Sequence, residues 1–276
     1  MPELPEVETI VRALVNGNKE TPGIVGKTIL GVDIRWEGTI EEPDIDQFIR
    51  RIDGQRIEAI GRRAKYLVFT LSEDTLLVHL RMSGAMLIGP QGVDLAKHVR
   101  VAILLEDDLQ LAFNNPRKFG RMWLLADPEE KFRKLGPEPL NGDLDAEKFT
   151  KKLLARSRQL KPLLLDQSFI AGLGNIYVDE SLHLAKLHPL RLANSLQPEE
   201  GRELFRAVQN TLNEGIRQNG ASIDWVYRGG EFQNQFRVYQ QTDQPCLVCG
   251  TPISRITVGQ RGTHFCPRCQ LIPEED

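Results

Sequence analysis

Pro2 stands directly behind the initiator methionine, and two carboxylates follow in the run Met1-Pro2-Glu3-Leu4-Pro5-Glu6. A small second residue permits removal of Met1, and the chain would then start with a secondary amine. An α-amino group titrates near pKa ~8, against ~10.4 for a lysine side chain, so a useful fraction is an unprotonated nucleophile at neutral pH. Attack by such an amine on a sugar aldehyde carbon gives an iminium ion, whose fixed positive charge is an electron sink for elimination. Glu3 and Glu6 lie close enough in sequence to move protons. The same residues also read as an ordinary helix start. Pro5 fits a first helical turn, acids favour the positive end of the helix dipole, and Leu4, Val7, Val11 and Leu14 recur at helical spacing. This segment alone does not decide between the two.

Cys246, Cys249, Cys266 and Cys269 carry a second chemistry. Their C-x2-C-x16-C-x2-C spacing is that of a four-thiolate zinc site. The alternative, a disulfide pair, fits poorly with a chain that has no other cysteine and no export signal. Four protein ligands leave no open position for water or substrate, so a zinc ion here would be structural.

Two basic stretches could track phosphates. One holds Lys151, Lys152, Arg156, Arg158 and Lys161; the other holds Arg50, Arg51, Arg56, Arg62, Arg63 and Lys65. The plainer reading of each is a solvated face. The net charge of −3 does not by itself announce a polyanion partner. A hydrophobic share of 41% and a charged share of 26% describe a globular chain. No apolar run approaches the ~18 residues of a membrane span. The N-terminus is acidic and lacks a basic-then-apolar signal pattern, so a cytoplasmic location and no membrane partner are expected.

These groups need elements to hold them. After the N-terminal helix, short runs rich in β-branched and aliphatic residues occur at 28–36, 56–60, 66–71, 75–80, 99–105, 109–113 and 122–125. Their succession suggests an antiparallel sandwich or barrel. Pro128, Gly136, Pro137, Pro139 and Gly142 then gather in a linker. Helical spacing follows at 146–155, 161–168, 176–186 and 198–218, with Gly172-Leu173-Gly174-Asn175 as a tight turn. From about Phe236 the chain reads as a zinc-ribbon hairpin. The expected fold class is α+β. An N-terminal sandwich domain spans 1–127, a linker 128–143, a helical domain 144–235 and a four-cysteine finger 236–276.

Taken in order, the blocks MPELPEVET at 1–9, GRRAKYL at 61–67, HLRMSG at 79–84, NPRKFG at 115–120, LGPEPL at 135–140 and AGLGNIYVDE at 171–180, with the finger, resemble the formamidopyrimidine-DNA glycosylases. The match spans nearly the whole chain. The start MPELPE favours this family over the related endonuclease VIII proteins, which typically begin MPEGPE. The resemblance implies a bifunctional base-excision repair enzyme that removes 8-oxoguanine and formamidopyrimidines from duplex DNA and then cleaves the strand. Pro2 would attack C1′ and form a Schiff base. Glu3 would protonate the opening sugar, and Glu6 would help position the terminus. Beta- and then delta-elimination would leave a one-nucleoside gap.

The resemblance further implies a helix–two-turn–helix motif beside the zinc finger, with damaged duplex DNA in a cleft between the domains. Zinc is the one cofactor implied, with no redox cofactor, and the chain is expected to be a monomer. A flipped nucleotide leaves a vacancy in the stack. Met82, Arg117 and Phe119 match the family's inserted side chains, and their chemistry suits wedging between bases and hydrogen bonding to an orphaned base. Phosphates near the lesion would be gripped by Lys65, which joins the catalytic set, and by Asn175 and Arg261, with Lys161 beside them. A helix start offers free N–H groups to an anion, which suits Asn175 independently. As single residues, Met82 and Phe119 also read as core, Asn175 as an N-cap, and Arg261 as a hairpin tip.

Between Ser222 and Phe236 the chain reads SIDWVYRGGEFQNQF, a lesion-capping region several residues shorter than in typical bacterial members. A short loop caps 8-oxoguanine less well and leaves the sugar chemistry untouched. Formamidopyrimidines are therefore expected to remain good substrates, with the rank of 8-oxoguanine open. Two other functions fit parts of the chain. One is an endonuclease VIII-like enzyme for oxidised pyrimidines. The other is a non-catalytic zinc-ribbon DNA-binding protein.

Overall fold

The computed structural model describes residues 1–17, 21–222 and 229–272. Two compact units form, one from Met1–Arg133 with Asn219–Gly230 and one from Lys134–Gln218 with Glu231–Asp276. In the first, α1 (Leu4–Asn16) precedes β1 (Ile29–Ile34), β2 (Ile40–Glu42), α2 (Ile45–Ile52), β3 (Ile57–Arg63), β4 (Tyr66–Leu71), β5 (Thr75–His79), β6 (Ala85–Pro90), β7 (Val99–Leu105), β8 (Leu109–Asn114), β9 (Arg121–Leu125) and α3 (Glu129–Phe132). The strands make two sheets, ordered β1-β7-β8-β6 and β2-β9-β5-β4-β3. Pairing is antiparallel except between β2 and β9. In β4, Leu67, Phe69 and Leu71 are buried while Tyr66, Val68 and Thr70 alternate with them, as a half-buried strand requires. Leu67 and Phe69 share one core with Val101, Ile103 and Phe113 of the other sheet. Val7, Ile10, Val11 and Leu14 of α1 join that core, so the helix at the chain start is clamped onto β3 and β4.

Four of these elements were not predicted, among them the one-turn α3 within the expected linker. β6 contains Gly89 and Pro90, which argue against a strand, yet it lies at a sheet edge where a missing N–H breaks no ladder. The short β2 pairs with β9. α2 starts at Asp44, whose carboxylate accepts the Gln47 N–H at 2.9 Å, and it buries Phe48 and Ile52. Arg50 and Arg51 occupy its last turn, where the dipole favours cations. The basic stretch that runs from Arg50 to Lys65 is therefore dispersed. Arg51 pairs with Asp74, Arg56 Nε donates to the Gly26 carbonyl at 2.9 Å, and Arg62 Nε meets Glu8 at 3.3 Å.

The second unit holds α4 (Ala146–Leu154), α5 (Leu160–Leu165), α6 (Asn175–Leu184), α7 (Pro198–Arg217), β10 (Ser254–Val258) and β11 (Arg261–Phe265). α7 packs against α4 and α6, and Phe149 makes ring contacts with Phe169 and Phe205. β10 and β11 form the antiparallel hairpin of the finger, and α6 packs on β11. The finger thus shares a unit with the helices. Residues 219–222 and 229–230, expected with those helices, group with the sandwich instead, where the Ala221 N–H is bound by Glu6. Among the described residues no helix is long and apolar enough to cross a membrane.

Candidate functional site

Glu3 is the N-cap of α1 and Glu6 its third residue, and the two form a reciprocal capping box. Both are buried. Glu6 Oε2 accepts the Glu3 N–H at 2.7 Å, and Oε1 accepts the Ala221 N–H at 2.8 Å. The preceding Gly220 has φ +78°, and a Cβ there would lie 2.8 Å from Glu6 Oε1, so only glycine lets the chain pass. Pro2 is half-buried and Met1 exposed. The helix-start reading of these acids is thus met in the structure, and Glu6 also ties the first turn of α1 to the chain at Ala221.

Lys65 sits in the two-residue turn between β3 and β4, after Ala64 at φ +53°, and is largely buried. Nearby His79 went unnoticed in the sequence apart from its place in the HLRMSG block. It closes β5 with its ring edge-on to Tyr66 at 4.7 Å, and its Nδ1 accepts the Arg81 N–H at 3.0 Å. Burial, then the charges of Arg81 and Lys65, lower its pKa from 6.5 to about 3.

Met82 and Phe119 are 41% and 53% exposed, which removes the core reading of both. Met82 lies on the loop from β5 to β6, and Arg117 and Phe119 on the loop from β8 to β9. The loops meet where Arg117 Nη1 lies 3.9 Å from Met82 Sδ. Arg81 and Lys118 take positive φ beside them.

In the second unit, Arg261 is exposed at the hairpin tip, and the adjoining Gly262 carbonyl accepts from Lys161 Nζ at 3.1 Å and Asn175 Nδ2 at 3.0 Å. Two expectations need correction. Asn175 is the first residue of α6, and Gly174 is the N-cap. Lys161 is fully buried, with its ammonium 2.5 Å from Asp179, which is equally enclosed. An ammonium so enclosed braces the hairpin and does not itself reach a phosphate. Asp179 also accepts the His264 N–H at 2.9 Å, and Glu180 accepts the N–H groups of Arg237, Val238 and Tyr239. Sequence reasoning missed both acids, although two carboxylates amid Ile176, Tyr177, Val178 and Leu182 signal buried charge awaiting distant partners.

The cysteines converge, with all four sulfurs within 4.8 Å of one another. Tetrahedral Zn–S bonds of ~2.3 Å put sulfurs about 3.8 Å apart. Cys246 and Cys269 are 3.9 Å apart and Cys249 and Cys266 3.5 Å. Hydrogen bonds from Thr251 draw the Cys249 thiol down to about 6, while burial and the neighbouring sulfurs push Cys269 up to about 12. Four thiolates at this spacing need a cation, and one structural zinc fits.

Two outcomes follow from this geometry. Lys161→Met should cost about 3–5 kcal/mol in denaturant unfolding, because it strands a buried carboxylate. A phosphate-contacting lysine would instead leave stability unchanged and flatten the salt dependence of DNA binding. His79 should stay neutral in the folded protein through the range in which a free imidazole titrates. The stability its neutral form contributes is complete above pH 6.5 and falls as pH drops towards about 3. Imidazole nitrogen shifts followed by NMR would check this, and a His79 titration near 6.5 would refute it.

Residues 1–122 match the model of the formamidopyrimidine-DNA glycosylase N-terminal domain, residues 135–226 that of the H2TH domain of the same enzymes, and residues 243–272 a zinc finger found in FPG and IleRS. The formamidopyrimidine-DNA glycosylase of Halalkalibacterium halodurans is 43% identical over 98% of this chain and 100% of its own length. A crystal structure of the Lactococcus lactis enzyme with Fapy-dG-containing DNA is 37% identical and superposes with a TM-score of 0.90, covering 98% of this chain and 99% of that one. A complex of the L. lactis enzyme with DNA containing an abasic site gives the same TM-score at 36% identity, covering 98% of this chain and all of that one. On sequence, domain order and fold together, the chain belongs to the formamidopyrimidine-DNA glycosylase family.

Proposed function

We propose that this chain excises oxidised purines from duplex DNA and cleaves the strand, with the amine of Pro2 as the nucleophile once Met1 is gone. The observation that carries this is the buried Glu6 carboxylate, which anchors the start of α1 from both oxygens and so holds a chain terminus still. Family membership and the damaged DNA bound by the L. lactis relatives support the substrate class. The amine adds to C1′ as the glycosidic bond breaks; the electron pair of that bond leaves with the base, which takes up the proton shed by the amine nitrogen. Glu3, buried beside the terminus, gives a proton to the sugar ring oxygen as the ring opens to the iminium. Loss of a C2′ proton then feeds electrons to the iminium as the 3′ phosphate departs, and delta-elimination releases the 5′ phosphate.

Met82 and Phe119 fill the space of the flipped nucleotide, and Arg117 meets the base left behind. Arg261 and Lys65 hold phosphates, while Asn175 and Lys161 hold the hairpin from which Arg261 projects. A DNA substrate supports a location with chromosomal DNA in the cytoplasm.

The test begins with N-terminal mass analysis, followed by borohydride reduction in the presence of duplexes carrying 8-oxoguanine opposite cytosine, a formamidopyrimidine, or an abasic site. A covalent adduct on Pro2 is expected. Glu3→Gln should slow base release by about 10²–10⁴-fold while the adduct with a preformed abasic site persists. Absence of an adduct with every duplex, despite an exposed Pro2, would overturn the assignment.

The lesion-capping loop concerns selectivity. Residues 223–228 lie outside the described residues. The neck of the loop is tied by Ser222, whose Oγ accepts the Gly229 and Gly230 N–H groups at 3.2 and 2.8 Å. Formamidopyrimidine duplexes should be processed at least as well as matched 8-oxoguanine duplexes, as judged by kcat/KM. A strong preference for 8-oxoguanine would refute a selectivity set by the short loop.

A further inference from the structure

His183 closes the last turn of α6, is buried, and brings Nε2 to 3.5 Å from Cys246 Sγ. Its Nδ1 has no hydrogen-bond partner among the described residues. A neutral imidazole carries one ring proton. On Nδ1 that proton would be a buried donor facing no acceptor; on Nε2 it points at a sulfur. Zinc held by four thiolates leaves surplus negative charge on the sulfurs, which N–H donors offset. Some donors come from the finger itself, such as the Cys269 N–H to Cys266 Sγ at 3.4 Å. His183 reaches in from a helix 63 residues earlier in the chain.

The ring does not displace a ligand, because the compact cluster comprises the four cysteines and already completes a tetrahedral shell. Its place on the helix is systematic. Asp179 accepts from His264, and His183 follows one turn later against Cys246. After a further four residues the Leu187 carbonyl accepts Gln270 Nε2 at 2.8 Å. Gln270 in turn accepts the Cys266 N–H at 2.9 Å. One face of α6 and its exit is therefore fastened to the finger at successive turns, and His183 is the point nearest the metal.

We propose that His183 is an outer-sphere partner of the zinc: its Nε2–H donates to the Cys246 thiolate, fixes that ligand, and makes α6 part of the device that retains the metal. The proposal rests on the site holding zinc, which metal analysis of the purified wild-type protein checks separately. A wild-type protein free of metal would overturn both.

The variants are His183→Phe, which keeps a ring and removes the donor, and His183→Gln, which keeps an N–H. With zinc-loaded protein and a chromophoric chelator, His183→Phe should surrender zinc about tenfold faster or more, and His183→Gln should stay close to wild type. In the cobalt-substituted proteins, loss of the donor should move the sulfur-to-metal charge-transfer band to longer wavelength in His183→Phe, with His183→Gln closer to wild type. Altered packing alone does not predict that order. Wild-type zinc release together with an unmoved cobalt band in His183→Phe would overturn the proposal. Wild-type protein loaded with cadmium-113 gives a reading that needs no variant. A ring protonated on Nε2 and coupled to cadmium would sustain the proposal, and a ring protonated on Nδ1 would overturn it.

Discussion

The start of α1 is held by one buried group, the Glu6 carboxylate, and the proposed chemistry of Pro2 depends on that anchor. One oxygen binds the amide of Glu3 and the other the amide of Ala221, 215 residues away. A buried carboxylate is tolerated when its oxygens are satisfied, so the loss of either bond is costly. The rest of the first unit serves this arrangement. α1 is pressed onto β3 and β4 through Val7, Ile10 and Leu14, and Gly220 leaves room for Glu6 by having no side chain. The capping box that starts the helix is also the clamp on the chain start.

The second unit solves a similar problem by a similar means. A finger of this size buries little apolar surface of its own: Val238, Ile253, Cys246 and Cys266 form its small core. A metal supplies part of what such a core cannot, and α6 supplies more. Asp179 and Glu180 would be expensive in that helix if left unpaired. Instead they collect N–H groups from β11 and from the chain entering the finger. Burial raises the pKa of Glu180, and three amide donors work against that rise. The same network accounts for Lys161, whose charge neutralises Asp179 and whose remaining donor capacity fixes Gly262 beside the exposed Arg261.

Periodicity and spacing disclosed whatever depends on neighbours in sequence. The amphipathic N-terminal helix, the alternation along β4 and the paired cysteines are local patterns with local causes. β6 escaped because its edge position, which excuses Pro90, is a property of the sheet. α2 had a readable start in Asp44 and a readable apolar face in Phe48 and Ile52. Counting Arg50 and Arg51 as a charge cluster hid the helix that carries them. Lys161 was misjudged for a related reason. A lysine among other basic residues looks solvated until its partner, 18 residues on, is known. His79 and Ala221 carry no local mark at all, since their roles arise only from what the fold sets against them.

Met82 and Phe119 show the opposite economy. Both are exposed apolar side chains raised on loops that contain positive-φ residues, Arg81 and Lys118. Neither feature helps the fold, for exposed apolar surface gains nothing from burial and a non-glycine residue in the left-handed region is strained. The tight contacts behind the loops explain why they persist. A Cβ at Gly84 would lie 2.6 Å from the Leu80 carbonyl oxygen and 2.8 Å from the Phe113 ring, and one at Gly120 only 2.3 Å from that ring. Both loops are thus seated on the same buried phenylalanine, which belongs to the sandwich core. The wedge role proposed for these side chains needs loops that do not yield. Seating both loops on one core side chain gives them stiffness and couples their exposed tips to the interior of the sandwich.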